Sequence, residues 1–131
     1  MILVFDVGNS ETTVGLYEAT RLRQHWRLTT VVERTPDELS LLLRQMLVAR
    51  NVALGEVTGT AIGSVVPALT GPLADACAAS FGKPALIVDA AAGLPIRLAV
   101  DEPLTVGADR LINTLAASRL YKRDTIVVDL G

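Results

Sequence analysis

The residues best suited to chemistry crowd into one short turn. VFDVGNSETTVGLY, residues 4–17, runs from one apolar stretch to another, and between them stand Asp6, Gly8, Asn9, Ser10, Thr12 and Thr13. A turn between two strands leaves backbone N–H groups pointing the same way, which makes a small anion-binding concavity. Gly8 lets the chain bend tightly and lets a ligand approach without meeting a Cβ. Asn9, Ser10, Thr12 and Thr13 add neutral donors. Asp6 would repel a phosphate, but it can hold Mg²⁺ through water, and the metal can clamp phosphate oxygens. The same residue types also make ordinary polar hairpin turns, and the motif is neither a Walker loop nor GxGxxG. The pattern returns in TIVVDLG, residues 125–131, which ends in Asp129 and Gly131. Two such turns on neighbouring strands can grip a nucleotide's phosphates from both sides.

The elements that must position these residues follow from hydrophobic periodicity. Residues 2–6 are a continuous apolar run ending in an acid, which suits a central strand. A second strand is predicted over 12–18 and a third, more exposed one over 21–30, where Leu22, Gln24, Trp26 and Leu28 share a face; the three read as an antiparallel meander. The period then changes. Thr35 and Glu38 form a capping box with Pro36 at the first helical position, and Leu39, Leu42, Leu43, Met46 and Leu47 make one apolar stripe of a helix over 36–50. Strands are predicted at 57–66, 85–89, 96–100 and 125–129. Helices are predicted at 70–81 and 107–121, the latter with Leu111, Ile112, Leu115 and Ala116 inward. This order indicates an α/β layer fold around a mixed sheet.

Composition narrows the function classes. The chain has 131 residues, half of them hydrophobic, which fits one domain with a sizeable core. Twelve basic and fourteen acidic side chains give a net charge of −2, which offers no footprint for nucleic acid or an anionic membrane surface. No apolar run approaches a membrane span, and Met1 leads straight into a strand-like run with no basic region or cleavage site. Cys77 is the only cysteine, so an internal disulfide and a multi-cysteine metal site are excluded. A reduced, cytoplasmic setting is the natural expectation. His25 and Trp26 read as a solvated and a packing side chain, Cys77 as a buried small hydrophobe, and Arg21, Arg23 and Arg27 as an exposed strand face.

Taken in order, the motifs resemble those of type III pantothenate kinase, a family of the acetate kinase, sugar kinase, Hsp70 and actin superfamily. The opening Asp6-Val-Gly-Asn-Ser-Glu-Thr12 is similar to the family's first phosphate motif. HWRLTT (25–30), RTPDEL (34–39), GSVVPALT (63–70), GLPIR (93–97), VGADRLIN (106–113) and IVVDLG (126–131) follow in the family's order. The resemblance covers essentially the whole chain. It implies a ribonuclease H-like, actin-like ATPase domain over 1–124, with 125–131 as the first strand of a second domain. It implies transfer of the γ-phosphoryl of ATP to the primary hydroxyl of pantothenate, opening coenzyme A synthesis, by a cytoplasmic homodimer that uses Mg²⁺ and a monovalent cation, K⁺ or NH₄⁺.

The resemblance also implies roles. Asp109 is the candidate base for the hydroxyl proton, although a first-turn acid is also favoured by the helix macrodipole alone. Gly107, Ala108 and Arg110 stand on the substrate side; Gly107 is equally a helix-entry glycine, and Arg110 could be a surface ion-pair partner. Asp6 and Asp129 are the metal-side acids; Gly8, Asn9, Ser10, Thr12 and Gly131 belong to the phosphate turns. Many relatives place a tyrosine before an Asn-Pro pair ahead of VGADR. Here Val100 or Leu98 takes the tyrosine site and Glu102-Pro103 the pair, so the pocket wall is more aliphatic. Two other readings stay open: a regulatory binding protein of the Bvg accessory factor kind, against which the charge of −2 and the lack of a helix-turn-helix count, and another phosphotransferase of the superfamily.

Overall fold

The structure is a computed structural model and describes residues 1–129. Its centre is a five-stranded mixed sheet in the order β3-β2-β1-β4-β5. β1 (Ile2–Val7), β2 (Glu11–Glu18) and β3 (Arg21–Thr29) form the expected antiparallel meander, while β4 (Gly59–Ser64) and β5 (Leu86–Val88) run parallel to β1. This is the α/β, ribonuclease H-like arrangement that the sequence implied. The apolar run of β1 lies at the middle of the sheet, paired on both edges.

Side chains alternate along a strand, so each face of the sheet collects one parity. Leu3, Phe5 and Val7 of β1, Val14 and Leu16 of β2 and Ile62 of β4 point to one face and are buried there. α1 (Pro36–Val48) and α2 (Pro67–Phe81) cover that face with Leu39, Leu43, Leu47, Leu69, Leu73 and Ala76. α1 begins as its sequence dictates: the Thr35 hydroxyl accepts from the Glu38 N–H at 3.3 Å, and Glu38 Oε2 accepts from the Thr35 N–H at 2.8 Å. Cys77 is buried in α2, as expected, and burial pushes its thiol up to about 12 against a smaller opposing effect of Thr60. α3 (Ala108–Tyr121) packs on the opposite face, against β4.

Several boundaries differ from the sequence reading. α2 starts at Pro67, not at 70, because a proline at the first helical position lacks only an N–H that would be unpaired anyway; Pro72 lies inside the helix. In β3 a bulge shifts the register between Leu16 and Tyr17, so Leu16 pairs Gln24 while Tyr17 pairs Leu22. The extra residue turns Leu22 onto the α3 face, away from Gln24, Trp26 and Leu28. The expected inner face of α3 holds for Leu111, which is buried, and for Ile112 and Leu115, which are half-buried; Ala116 is exposed, and Ala108 and Ala117 are buried in addition.

The expected strand at 96–100 is absent. Ile96 and Leu98 keep an alternating half-burial, but a strand needs a hydrogen-bonded neighbour and this segment has none. Residues 125–129 likewise form no strand and are exposed throughout; Leu130 and Gly131 lie outside the described residues.

Candidate active site

Asp6 is the last but one residue of β1. Its even parity places it on the α3 face, in register with Thr13 of β2 and Gly63 of β4. α3 reaches that face through small residues. A Cβ on Gly63 would collide with the δ-methyl of Ile112 and touch the Ala108 methyl at 3.8 Å. The missing side chain lets the first turn of α3 settle directly on β4, beside the ends of β4 and β1.

That turn carries Asp109. Its Oδ1 accepts the backbone N–H of Arg110 at 2.8 Å, where the helix N-terminus favours a negative charge. Gly107 caps the helix with φ −62°, a value any residue adopts. Its glycine serves space instead: a Cβ would stand 2.6 Å from Asp109 Oδ1. Further along the same helix, Asn113 Nδ2 donates to Asp129 Oδ2 at 3.0 Å.

Asp6 senses both acids. Its carboxyl is held above the usual aspartate range, first by loss of water around it, then by the negative charges of Asp109 and Asp129. The residue keeps solvent access by area, so the desolvation is partial. Three carboxylates from β1, α3 and the 125–129 segment therefore share one end of the molecule.

Among the described residues, no group of three or more His, Cys, Asp or Glu side chains is close enough to hold a metal ion alone. Mg²⁺ rarely needs such a cage; it keeps several waters and takes one or two carboxylates plus phosphate oxygens. Asp6 and Asp129 fit that role, and a tightly held resident metal does not fit.

The turn after β1 is built differently from the simple picture. The Gly8 N–H donates to the Glu11 carbonyl at 3.0 Å, so it is not open to an anion. A Cβ on Gly8 would stand 2.9 Å from that same oxygen, which is why glycine is needed there. Thr12 is buried, and its hydroxyl lies 2.9 Å from that of Thr30. Thr30 in turn donates to the Gly8 carbonyl at 2.7 Å. A hydroxyl has one proton to give, so Thr12 donates to Thr30 and has none left for a phosphate. Asn9 and Ser10 are exposed and remain the donors that face outward.

Two clefts adjoin the acids. One of about 420 Å³ is lined by Arg110, Asn113, Thr114, Val127, Val128 and Asp129. Another of about 200 Å³ includes Asp6, Thr13, Tyr17, Leu22, His25 and Ile112. Arg110 is thus exposed at a cleft beside Asp129. The Ala108 side chain is buried against the sheet, leaving only its backbone for a ligand. Val100 is exposed and lines neither cleft. Gly131 lies outside the described residues. His25 is exposed and Trp26 half-buried, as expected.

Two residues of this end went unnoticed in the sequence: Thr30 and Asn113. Both sit inside segments quoted for other reasons, HWRLTT and VGADRLIN. Counting the antiparallel pairing outward from a β2–β3 turn would have set Thr30 beside the opening turn; nothing in the sequence marks Asn113.

The whole chain can be set beside known proteins. The family model described as type III pantothenate kinase matches residues 2–131. A type III pantothenate kinase of Listeria monocytogenes serotype 4a (strain HCC23) is 40% identical over 131 residues, all of this chain and 51% of the relative. One of Thermomicrobium roseum is 42% identical over 133 residues, again covering 51% of its length. One of Exiguobacterium sibiricum is 36% identical, with 52% of its length covered. The chain spans about half the length of the curated relatives it matches. With motifs, fold and similarity agreeing along its length, the chain belongs to the type III pantothenate kinase family.

Proposed function

We propose that the full-length protein transfers the γ-phosphoryl group of ATP to the primary hydroxyl of pantothenate, giving 4′-phosphopantothenate at the start of coenzyme A synthesis. The observation that carries this reading is that Asp6, in register with Gly63 beneath the first turn of α3, lies within electrostatic reach of Asp109 and Asp129, in a chain whose residues 2–131 match the family.

Phosphoryl transfer asks a protein mainly for positioning and charge neutralisation. Asn9 and Ser10 receive phosphate oxygens at the end of β1. Asp6 and Asp129 hold the water shell of Mg²⁺, which supplies positive charge to the phosphates when bound. Asp109, fixed over Gly107, takes the proton of the attacking hydroxyl. Arg110 faces the cleft beside it and holds an anionic group of substrate or nucleotide. Gly107 and the Ala108 backbone border the acceptor; Val100 belongs to a more aliphatic wall. K⁺ or NH₄⁺ is the expected monovalent partner.

Residues 125–131 open a second domain on this reading. The exposure of Ile126 (91%) and Val128 (74%) supports it, since apolar side chains normally find a neighbour to bury them. On this reading the active form is a cytoplasmic homodimer that binds neither nucleic acid nor membrane, surfaces to which a net charge of −2 offers no electrostatic footprint. The 131-residue chain alone binds ATP weakly or not at all.

The test is an assay of full-length protein with ATP, pantothenate, Mg²⁺ and K⁺. Product should form, and Asp109→Asn should lose roughly 10²–10⁴-fold in kcat. No product under those conditions, or an unimpaired Asp109→Asn, rejects the reading. A substrate panel separates pantothenate from other acceptors, and a salt-dependent gel shift with DNA would favour a regulatory role instead.

A further inference from the structure

Thr30 stands just past the end of β3, yet it is tied to the opening turn at three points. Its hydroxyl donates to the Gly8 carbonyl at 2.7 Å. The same oxygen receives the Thr12 hydroxyl at 2.9 Å. Its backbone N–H donates to the Ser10 carbonyl at 2.9 Å. The two residues whose carbonyls it holds flank Asn9, at the tip of the turn. Thr12 is buried at this junction and Thr30 half-buried, so water cannot freely replace the bonds.

We propose that Thr30 is a positioning residue for the nucleotide: its hydroxyl braces the 8–12 turn from the end of β3 and keeps Asn9 and Ser10 presented to a phosphate. The inference rests on the reading that this turn receives an anion, but the brace is a property of the chain that can be measured by itself. A hydroxyl that both accepts and donates at one point cannot be replaced by a methyl without leaving the Gly8 carbonyl and the Thr12 hydroxyl without partners. Serine retains the oxygen and loses only a methyl.

In full-length protein, Thr30→Val keeps the β-branched shape and the backbone bond to Ser10 but removes the two bonds of the hydroxyl; Thr30→Ser is the rescue. MgATP affinity by calorimetry, KM for ATP, kcat, and amide hydrogen exchange of residues 8–12 are compared with wild type. Thr30→Val should weaken MgATP binding and raise KM for ATP about ten-fold, since two side-chain hydrogen bonds are lost and part of their worth falls on the stability of the turn and not on binding. It should leave kcat at saturating ATP near wild type and speed exchange in the turn. Thr30→Ser should match wild type in all four. Val binding MgATP as wild type does, or Ser failing as badly as Val, overturns the proposal. Should wild type itself bind no nucleotide, the kinase reading falls, and exchange still judges the brace. Faster exchange in Val with recovery in Ser supports it; unchanged exchange in Val overturns it.

Discussion

The carboxylate of Asp109 lies over the α-carbon of Gly107, so close that a Cβ there would stand 2.6 Å from Oδ1. Gly107 has an ordinary helical-entry φ of −62°, so alanine fits the backbone. Gly107→Ala should therefore fold with nearly unchanged stability while turning the Asp109 carboxylate away. The measurement is a thermal melt beside kcat in the full-length enzyme: an intact melt with activity reduced ten-fold or more is expected, since misplacing a reacting group by about 1 Å can cost 10²-fold.

Asp6 carries a charge that the fold disfavours. Its folded pKa is raised by lost hydration and then by Asp109 and Asp129. The unfolded state therefore gives up the Asp6 proton first, and stability falls as pH rises through the carboxylate range; the loss is absent below the unfolded pKa. Asp6→Asn should raise the unfolding midpoint at neutral pH, with the difference shrinking toward zero in acid. Phosphotransfer should be lost in the same variant. Urea titrations across pH check the sign.

Gly63 is where α3 touches the sheet. Gly63→Ala should overpack the contact with Ile112 and cost about 1–3 kcal/mol. Ile112→Val removes the δ-methyl that collides, so the double variant should recover part of that loss. A double-mutant cycle by urea denaturation reads the coupling.

Cys77 should be inert in the native protein. Its thiol is buried and pushed up to about 12, whereas reactivity needs an accessible thiolate. A thiol reagent at about pH 8 should leave it unmodified until denaturant is added.

Chelation of divalent cations should abolish phosphotransfer while leaving the melt of the nucleotide-free protein unchanged, because Asp6 and Asp129 are proposed to hold Mg²⁺ through water together with phosphate and not as a structural cage. Added Mg²⁺ should restore activity. A melt that drops on chelation alone would reveal a structural metal.

Most of the layer order was legible in the residues. The Thr35–Glu38 box and the stripe from Leu39 to Leu47 are local, so α1 could be read directly. The apolar run of β1 and its acid predicted a central strand with a polar exit. What failed needed partners. IRLAV at 96–100 and TIVVD at 125–129 have strand-like residues, but hydrogen-bonded neighbours decide strands, and neither segment has one here. The bulge that moved Leu22 to the other face depends on pairing between Leu16 and Gln24, which composition does not encode. The site divides the same way. Asp6, Asp109 and Asp129 could be named from motifs, but the removal of Thr12 from the phosphate donors could not, because it depends on a residue 18 positions away.

By itself, the sequence determined which groups this protein carries and in what order: an acid and a glycine closing a central strand, a capped helix, and an acid just inside a later helix. Tertiary structure alone decided which of them meet. Side-chain parity turned Asp6 toward α3, the bare surface of Gly63 admitted the helix that holds Asp109, and the end of β3 brought Thr30 against Gly8. Such contacts depend on pairing register and on volumes left empty between distant segments, which are properties of packed chains and not of neighbouring residues.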